Sequence, residues 1–174
     1  VSRFKSIWIL LCSALLASAC ATPNLATQVP SGFDLTGEWR LVADKSGSPP
    51  PHGSLRPPGR GGSRELARHG VEQDYPVITA TLLDIEQNRD SMGIRYDRSE
   101  YRDVSWGKRE IGMWTVDAGF SDGALYIVSR AHDSRATEIM NLSDDGNTLV
   151  VDIDVHAGEN FTLRRVYRRY RSAL

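Results

Sequence analysis

The chain is nearly without cysteine. Of 174 residues two are Cys, Cys12 and Cys20, so no disulfide framework organises the fold. Long apolar runs are missing as well. The one run of note, residues 7–16, is far too short to cross a bilayer as a helix, which takes about 20 residues. Neither sign of charge dominates: 21 basic and 22 acidic residues give a net charge of −1. That balance argues against a nucleic-acid partner and gives no pull towards an anionic surface. What is present is ordinary globular composition, 40% hydrophobic and 25% charged, in a length that suits one domain with a core.

The first nineteen residues do not read as fold. Arg3 and Lys5 form a short positive region, residues 7–16 an apolar one, and Ala17-Ser18-Ala19 the small residues of a peptidase site. Cys20 follows at once. The order Leu16-Ala17-Ser18-Ala19-Cys20 resembles the lipobox of bacterial lipoprotein signal peptides, with Ala17 at the place that family usually gives to Leu. The resemblance implies that Cys20 becomes the first mature residue and carries palmitate-type acyl chains. Each buried methylene adds about 0.8 kcal/mol, so several chains anchor stably. The alternative is an ordinary secretory peptide cut after Ala19, leaving a free thiol. Ala21 follows the cysteine; in enterobacterial lipoproteins an Asp there marks inner-membrane retention. The expected location is therefore the outer membrane, facing the periplasm. Val1 reads as a non-standard bacterial start codon taken literally. Loss of Arg3 and Lys5 takes the net charge from −1 to −3. Residues 20–33, small and polar with Pro23, Pro30 and Gly32, read as the lipidated N-terminus and a flexible tether.

The folded domain is expected over residues 34–170. It opens on Leu35-Thr36-Gly37-Glu38-Trp39-Arg40-Leu41, whose alternation places Leu35, Trp39 and Leu41 on one strand face. Residues 44–75 then break the pattern with a dense run of Pro and Gly, forming a long irregular loop that carries Arg56, Arg60, Arg64 and Arg68. Within it, residues 63–69 predict one or two helical turns capped by Ser63. From residue 77 everything is strand and turn. Segments at 77–87, 92–97, 100–104, 111–117, 124–130, 135–142, 148–156 and 160–168 make eight or nine short strands with the first. The predicted class is all-β, an antiparallel up-and-down meander closed into a small barrel, because closure removes exposed edges.

The last strands can be registered. A three-residue turn at Ala157-Gly158-Glu159 pairs Val155 with Phe161, Ile153 with Leu163, Val151 with Arg165 and Leu149 with Tyr167. The other face pairs Asp152 with Arg164 and Val150 with Val166. A turn at Ser143-Asp144-Asp145-Gly146 places Met140 opposite Leu149 and Glu138 opposite Val151. Glu138 and Arg165 then flank Val151 on the inner face, roughly 9–10 Å apart at the backbone, as a polar pair.

Gly37-x-Trp39 on the first strand, a meander, and an arginine on the last strand resemble the lipocalin and wider calycin families. The C-terminal half is also similar to small bacterial lipocalin-like envelope proteins. The resemblance implies that Gly37, Trp39 and Arg165 (or Arg164) close one end of the barrel, the arginine lying across the tryptophan, a contact worth about 1–2 kcal/mol.

Motifs that would carry other chemistry fail on context. Gly119-Phe120-Ser121-Asp122-Gly123 matches a hydrolase elbow, but that elbow needs a helix after it and a strand follows here. Asp152, Asp154 and His156 share a strand face with the spacing of a metal site, but Arg164 claims Asp152. His52 and His69 have no second ligand at a recognisable spacing. The basic run at 164–171 is split between two faces by alternation. Asn141 and Asn160 head sequons without meaning in a bacterial envelope. No catalytic residue, metal or cofactor is assigned, and the chain is read as a non-enzyme. Two functions remain. One is a lipid-anchored lipocalin-like lipoprotein that binds or carries a small apolar ligand. The other is a structural or protein-interaction envelope lipoprotein whose barrel is filled by its own side chains. Bulky inner residues such as Met140, Leu149 and Phe161 predict a small, mostly filled interior.

Overall fold

Alternating apolar and polar residues, cut at intervals by turn residues, fold into consecutive hairpins. The computed structural model describes residues 24–50, 75–132, 134–157 and 159–170. Ten strands follow in order: β1 Gly37–Leu41, β2 Leu82–Gln87, β3 Ser91–Tyr96, β4 Glu100–Ser105, β5 Gly107–Ile111, β6 Trp114–Ser121, β7 Ala124–Ala131, β8 Ser134–Leu142, β9 Thr148–Ala157 and β10 Glu159–Tyr170. They form one antiparallel sheet in the order β4-β3-β2-β1-β10-β9-β8-β7-β6-β5. Because β1 pairs with both β2 and β10, the sheet curls into a nearly closed barrel of the lipocalin-like, calycin type. The outer strands, β4 and β5, share no ladder.

The expected barrel is present with more strands than the eight or nine predicted. Residues 111–117 are not one strand. Ile111 ends β5 and pairs with Trp114 across a two-residue turn, where Gly112 takes φ +59°, a left-handed value that glycine adopts without strain. At 77–87 the strand begins only at Leu82. Pro76–Ile78 is a buried 3₁₀ turn, held because Pro76 fixes its own φ and starts the turn.

The register of β9 with β10 is as predicted, from Val155 with Phe161 to Leu149 with Tyr167. The β8–β9 hairpin differs by two residues: Met140 faces Val151 and Glu138 faces Ile153. Asp145 causes the difference. It accepts from the Asn147 backbone N–H at 3.0 Å and from Ser143 Oγ at 2.5 Å. Asn147 is thereby drawn into the turn, and the ladder starts at Ser143 and Thr148. A shift by two preserves faces, so Glu138 and Met140 remain inside and fully buried.

Antiparallel order assigns every turn to one of two ends. The turns after β2, β4, β6 and β8 lie at the end where the N-terminal segment packs. The turns after β3, β5, β7 and β9, with residues 42–50 and 75–81, lie at the other. Residues 24–33, expected as part of a tether, are instead docked: Ala26 exchanges backbone hydrogen bonds of 2.9 and 2.8 Å with Phe120. They occupy the edge of β6 beyond Ala118, where β5 no longer pairs. Phe33 stacks edge-on against Phe120 at 5.3 Å, and Trp106 does so at 5.2 Å. Gln87 clamps the segment, accepting from Leu35 N–H and donating to the Phe33 carbonyl. The core runs from this closed end upward through Leu35, Trp39, Leu83, Ile94, Leu125 and Met140, all fully buried, each contributing about 1.5–3 kcal/mol by burial.

Candidate functional site

Closure of the barrel does not use the arginine named from the sequence. Trp39 lies opposite Arg169 in the β1–β10 ladder, and the Arg169 guanidinium sits 4.2 Å from the Trp39 ring centre. Arg165 lies four residues earlier on β10, about 13 Å along the strand, beyond the end of β1. Arg164 is outside, bound to Asp152 at 2.6 and 3.0 Å. Gly37 matters because a side chain there would meet Arg169, 3.3 Å from the position of a Cβ, in a backbone at φ +128°. Arg169 donates to the carbonyls of Thr36, Asp34 and Gly146, tying β10 to the segment that leads into β1 and to the turn after β8. Trp39 donates from Nε1 to the Leu35 carbonyl at 2.8 Å. This end is a structural lock.

The upper half is different. Alternation along β4 turns Arg102 inward between Glu100 and Val104, and the same parity turns in Ser129 on β7, Glu138 on β8 and Tyr96 on β3. Arg102 donates to Glu138 Oε1 at 2.6 Å and to Ser129 Oγ at 3.3 Å. Glu138 was expected to pair with Arg165. Both are buried, but Arg165 donates instead to the carbonyls of Ala80 at 2.8 Å and Gly47 at 3.3 Å. The two-residue register shift separates the pair, and Arg102 reaches Glu138 across the barrel from a strand that is not its neighbour. The Tyr167 hydroxyl also donates to Ala80, at 3.0 Å.

These polar groups are incompletely satisfied. Glu138 Oε2 and Arg165 Nε have no hydrogen-bond partner among the described residues. The Tyr96 hydroxyl lies beside Arg102 without a hydrogen bond of good geometry. Burial drives the Tyr96 phenol well above its ordinary range, with the Glu138 charge adding to the effect and Arg102 opposing it. Burial likewise pushes Tyr167 up to about 12, opposed by the hydrogen bond and charge of Arg165. Burial works against the charge on Arg102, but Glu138 and Tyr96 together more than offset it. Ionisable and hydrogen-bonding groups gathered in this way on the inner face of a barrel make it a candidate site.

A cleft of about 630 Å³ opens onto this cluster. It lies in the gap beside β4, bounded by Tyr75 and Pro76 above, by Arg109 and Trp114 across the gap, and by Arg102 and Ser129 below. Its volume falls in the range of about 300–1,000 Å³ typical of small-molecule sites. The interior is therefore filled in its lower half, and in its upper half it opens sideways through the gap beside β4. Arg102 is 18% exposed at its side chain and stands between the cleft and the buried Glu138. Tyr101 and Ile111 on the rim are 59% and 52% exposed.

Ser121 lies at the end of β6 with a strand, not a helix, after it, and its hydroxyl contacts Asp122 at 3.0 Å, a turn arrangement. Asp154 and His156 touch each other at 3.2 Å on the outer face. Among the described residues no group of three or more His, Cys, Asp or Glu side chains is placed to hold a metal. Cys20, His52, His69 and the predicted turns at 63–69 lie outside the described residues.

No protein-family model matches the chain, and no curated protein matches it in sequence. Solved structures do. The wild-type fluorescent protein UnaG superposes with a TM-score of 0.52 at 18% identity, over 78% of this chain and 97% of that one. The REP1-NXSQ fatty acid transporter gives 0.52 at 14% identity, over 80% and 98%. Apo Caenorhabditis elegans lipid binding protein 8 gives 0.51 at 13%, over 78% and 94%. At these identities the likeness is one of fold.

Proposed function

We propose that this protein is a lipid-anchored lipoprotein of a bacterial envelope whose barrel binds one small amphiphile, an apolar body with an acidic end. The cleft carries the reading: it has the volume for a ligand, an aromatic and aliphatic wall, and a cation at its floor. The buried charge supports the acidic end. Among the described residues the one fully buried carboxylate, Glu138, is bound by Arg102, whereas the second buried cation, Arg165, is bound only to carbonyls, and a buried cation without a carboxylate partner favours an anionic guest. Glu100 and Asp103 at the rim stand beside Arg102 and Arg109. The fatty acid transporter and the lipid binding protein that share the fold are consistent with an apolar body. The anchor rests on the lipobox-like sequence ending at Cys20, and Ala21 after it favours the outer membrane, facing the periplasm.

Native mass spectrometry of the protein taken from its host membrane tests both parts at once. The expected result is acyl mass on Cys20 together with one acidic amphiphile released on denaturation. A barrel that is empty, and that then takes up neither a fatty acid nor the alcohol of equal length, would favour the filled structural barrel instead.

A further inference from the structure

We infer that the barrel stands on its anchor with the closed end towards the bilayer and the cleft held in the far half of the wall, so that ligand is exchanged on the aqueous side and not with the anchoring membrane. The orientation rests on the lipid-anchor part of the function proposed above, and the side of exchange on its ligand-binding part.

The point where the chain joins the barrel is fixed. Ala26 is bound to Phe120 by two backbone hydrogen bonds. The contact is close because residue 119 is glycine: a Cβ there would lie 2.6 Å from the Ala26 carbonyl oxygen and 2.9 Å from Leu25 Cβ. Phe33, stacked on Phe120, and Gln87, bonded to both Phe33 and Leu35, hold the rest of the segment against the same end. The barrel therefore hangs from its closed end.

The remaining length is short. From Cys20 to Ala26 the chain advances six residues, which reach about 20 Å at full extension. The mouth is as far away in the opposite direction. Trp114, which lines the cleft, lies six residues back along β6 from Phe120, again about 20 Å. Inverting the barrel over its anchor would require the chain to run the full height of the wall and round the rim, which six residues cannot do. Tyr101, Ile111 and Met113, the last 70% exposed in the turn after β5, then form an apolar rim directed away from the anchoring leaflet. They are also the groups that would oppose this orientation by inserting into lipid, so the two forces have distinct signatures.

Two tryptophans report them. Trp106 sits at the closed end, its ring on Phe120 and its Nε1 donating to the Arg89 carbonyl. Trp114 sits at the mouth, paired with Ile111. The experiment reconstitutes the mature lipidated protein in phosphatidylethanolamine and phosphatidylglycerol vesicles that carry a dansyl headgroup lipid. Trp114→Phe leaves Trp106 as the outer reporter and Trp106→Phe leaves Trp114, with buried Trp39 a constant background. Energy transfer to the headgroups is expected to be greater from Trp106 than from Trp114. Equal transfer, or greater transfer from Trp114, would overturn the orientation while leaving the anchor in place. Protein that fails to float with the vesicles would instead overturn the anchor, and this inference with it.

Discussion

The two ends of the barrel are built from different chemistry. At the closed end Phe33 and Trp106 pack edge to face on Phe120, Arg169 covers the Trp39 ring, and each indole N–H there finds a carbonyl. At the open end an arginine, a glutamate and a tyrosine are buried with polar atoms left over. Burying charged and polar groups costs free energy that only good pairing repays, so the open end contributes less to stability than the closed end. A chain selected only for a filled barrel would have no reason to keep such a region, and departures from local consistency of this kind concentrate at functional sites.

The comparison breaks first at Trp39. The side chain is fully buried, donates to Leu35 and lies under Arg169. Trp39→Ala is expected to lower unfolding free energy by about 3–5 kcal/mol, with little change in ligand preference, as read by urea denaturation alongside ligand titration. An unchanged midpoint would mean that the closed end is not where stability resides.

At the open end stability and binding should move in opposite directions. Glu138→Gln removes the carboxylate that pairs with Arg102, a loss of about 3 kcal/mol in line with breaking a buried pair. The same change makes the cleft floor more positive. A fatty acid should then bind more tightly to the variant than to the natural protein, while the alcohol of equal length binds the same or less well. Calorimetric titration of the two ligands against both proteins reads this directly. If both ligands weaken together, Glu138 serves only the fold.

Much of the closed end and little of the open end was legible in the sequence. Gly37-x-Trp39 and the β9–β10 register rest on neighbours in one ladder, where alternation and turn length suffice. The arginine over Trp39 was placed on the right strand but at the wrong residue, because its identity depends on the β1–β10 register. Those two strands are separated by most of the chain, with no short turn to fix their pairing. Arg102 escaped notice for a related reason. Its partner Glu138 lies on a strand that does not pair with β4, so ladder reasoning could not join them and assigned Glu138 to Arg165. A signal was available in the alternation itself: Arg102 falls in phase with Val104 on the inner face, and an inward charge requires an inward partner. The docking of residues 24–33 was hidden because their composition is that of a linker. What binds Ala26 is backbone on an unpaired edge and the missing side chain at Gly119, neither of which shows in hydropathy.

The smallest expected effect is confined to alkaline solution and again separates the two ends. Phenols in an unfolded chain titrate near pH 10, whereas Tyr167 is pushed up to about 12 and Tyr96 is driven up as well, both chiefly by burial. Between pH 10 and 12 the unfolded chain therefore releases protons that the native barrel retains, and unfolding is favoured as pH rises. The associated stability is fully present below pH 10 and declines above it. Tyr167→Phe should lose up to about 1.5 kcal/mol at neutral pH with the hydrogen bond to Ala80, yet fall less steeply above pH 10, so that the two stability curves converge. Denaturation midpoints measured across that range, with tyrosinate absorbance followed in parallel, check the slope. Because the shifted tyrosines, Tyr96 and Tyr167, make no hydrogen bond to Trp39 among the described residues, Trp39→Ala should displace the whole curve downward without changing its alkaline slope. A change of slope there would show that the two ends are coupled.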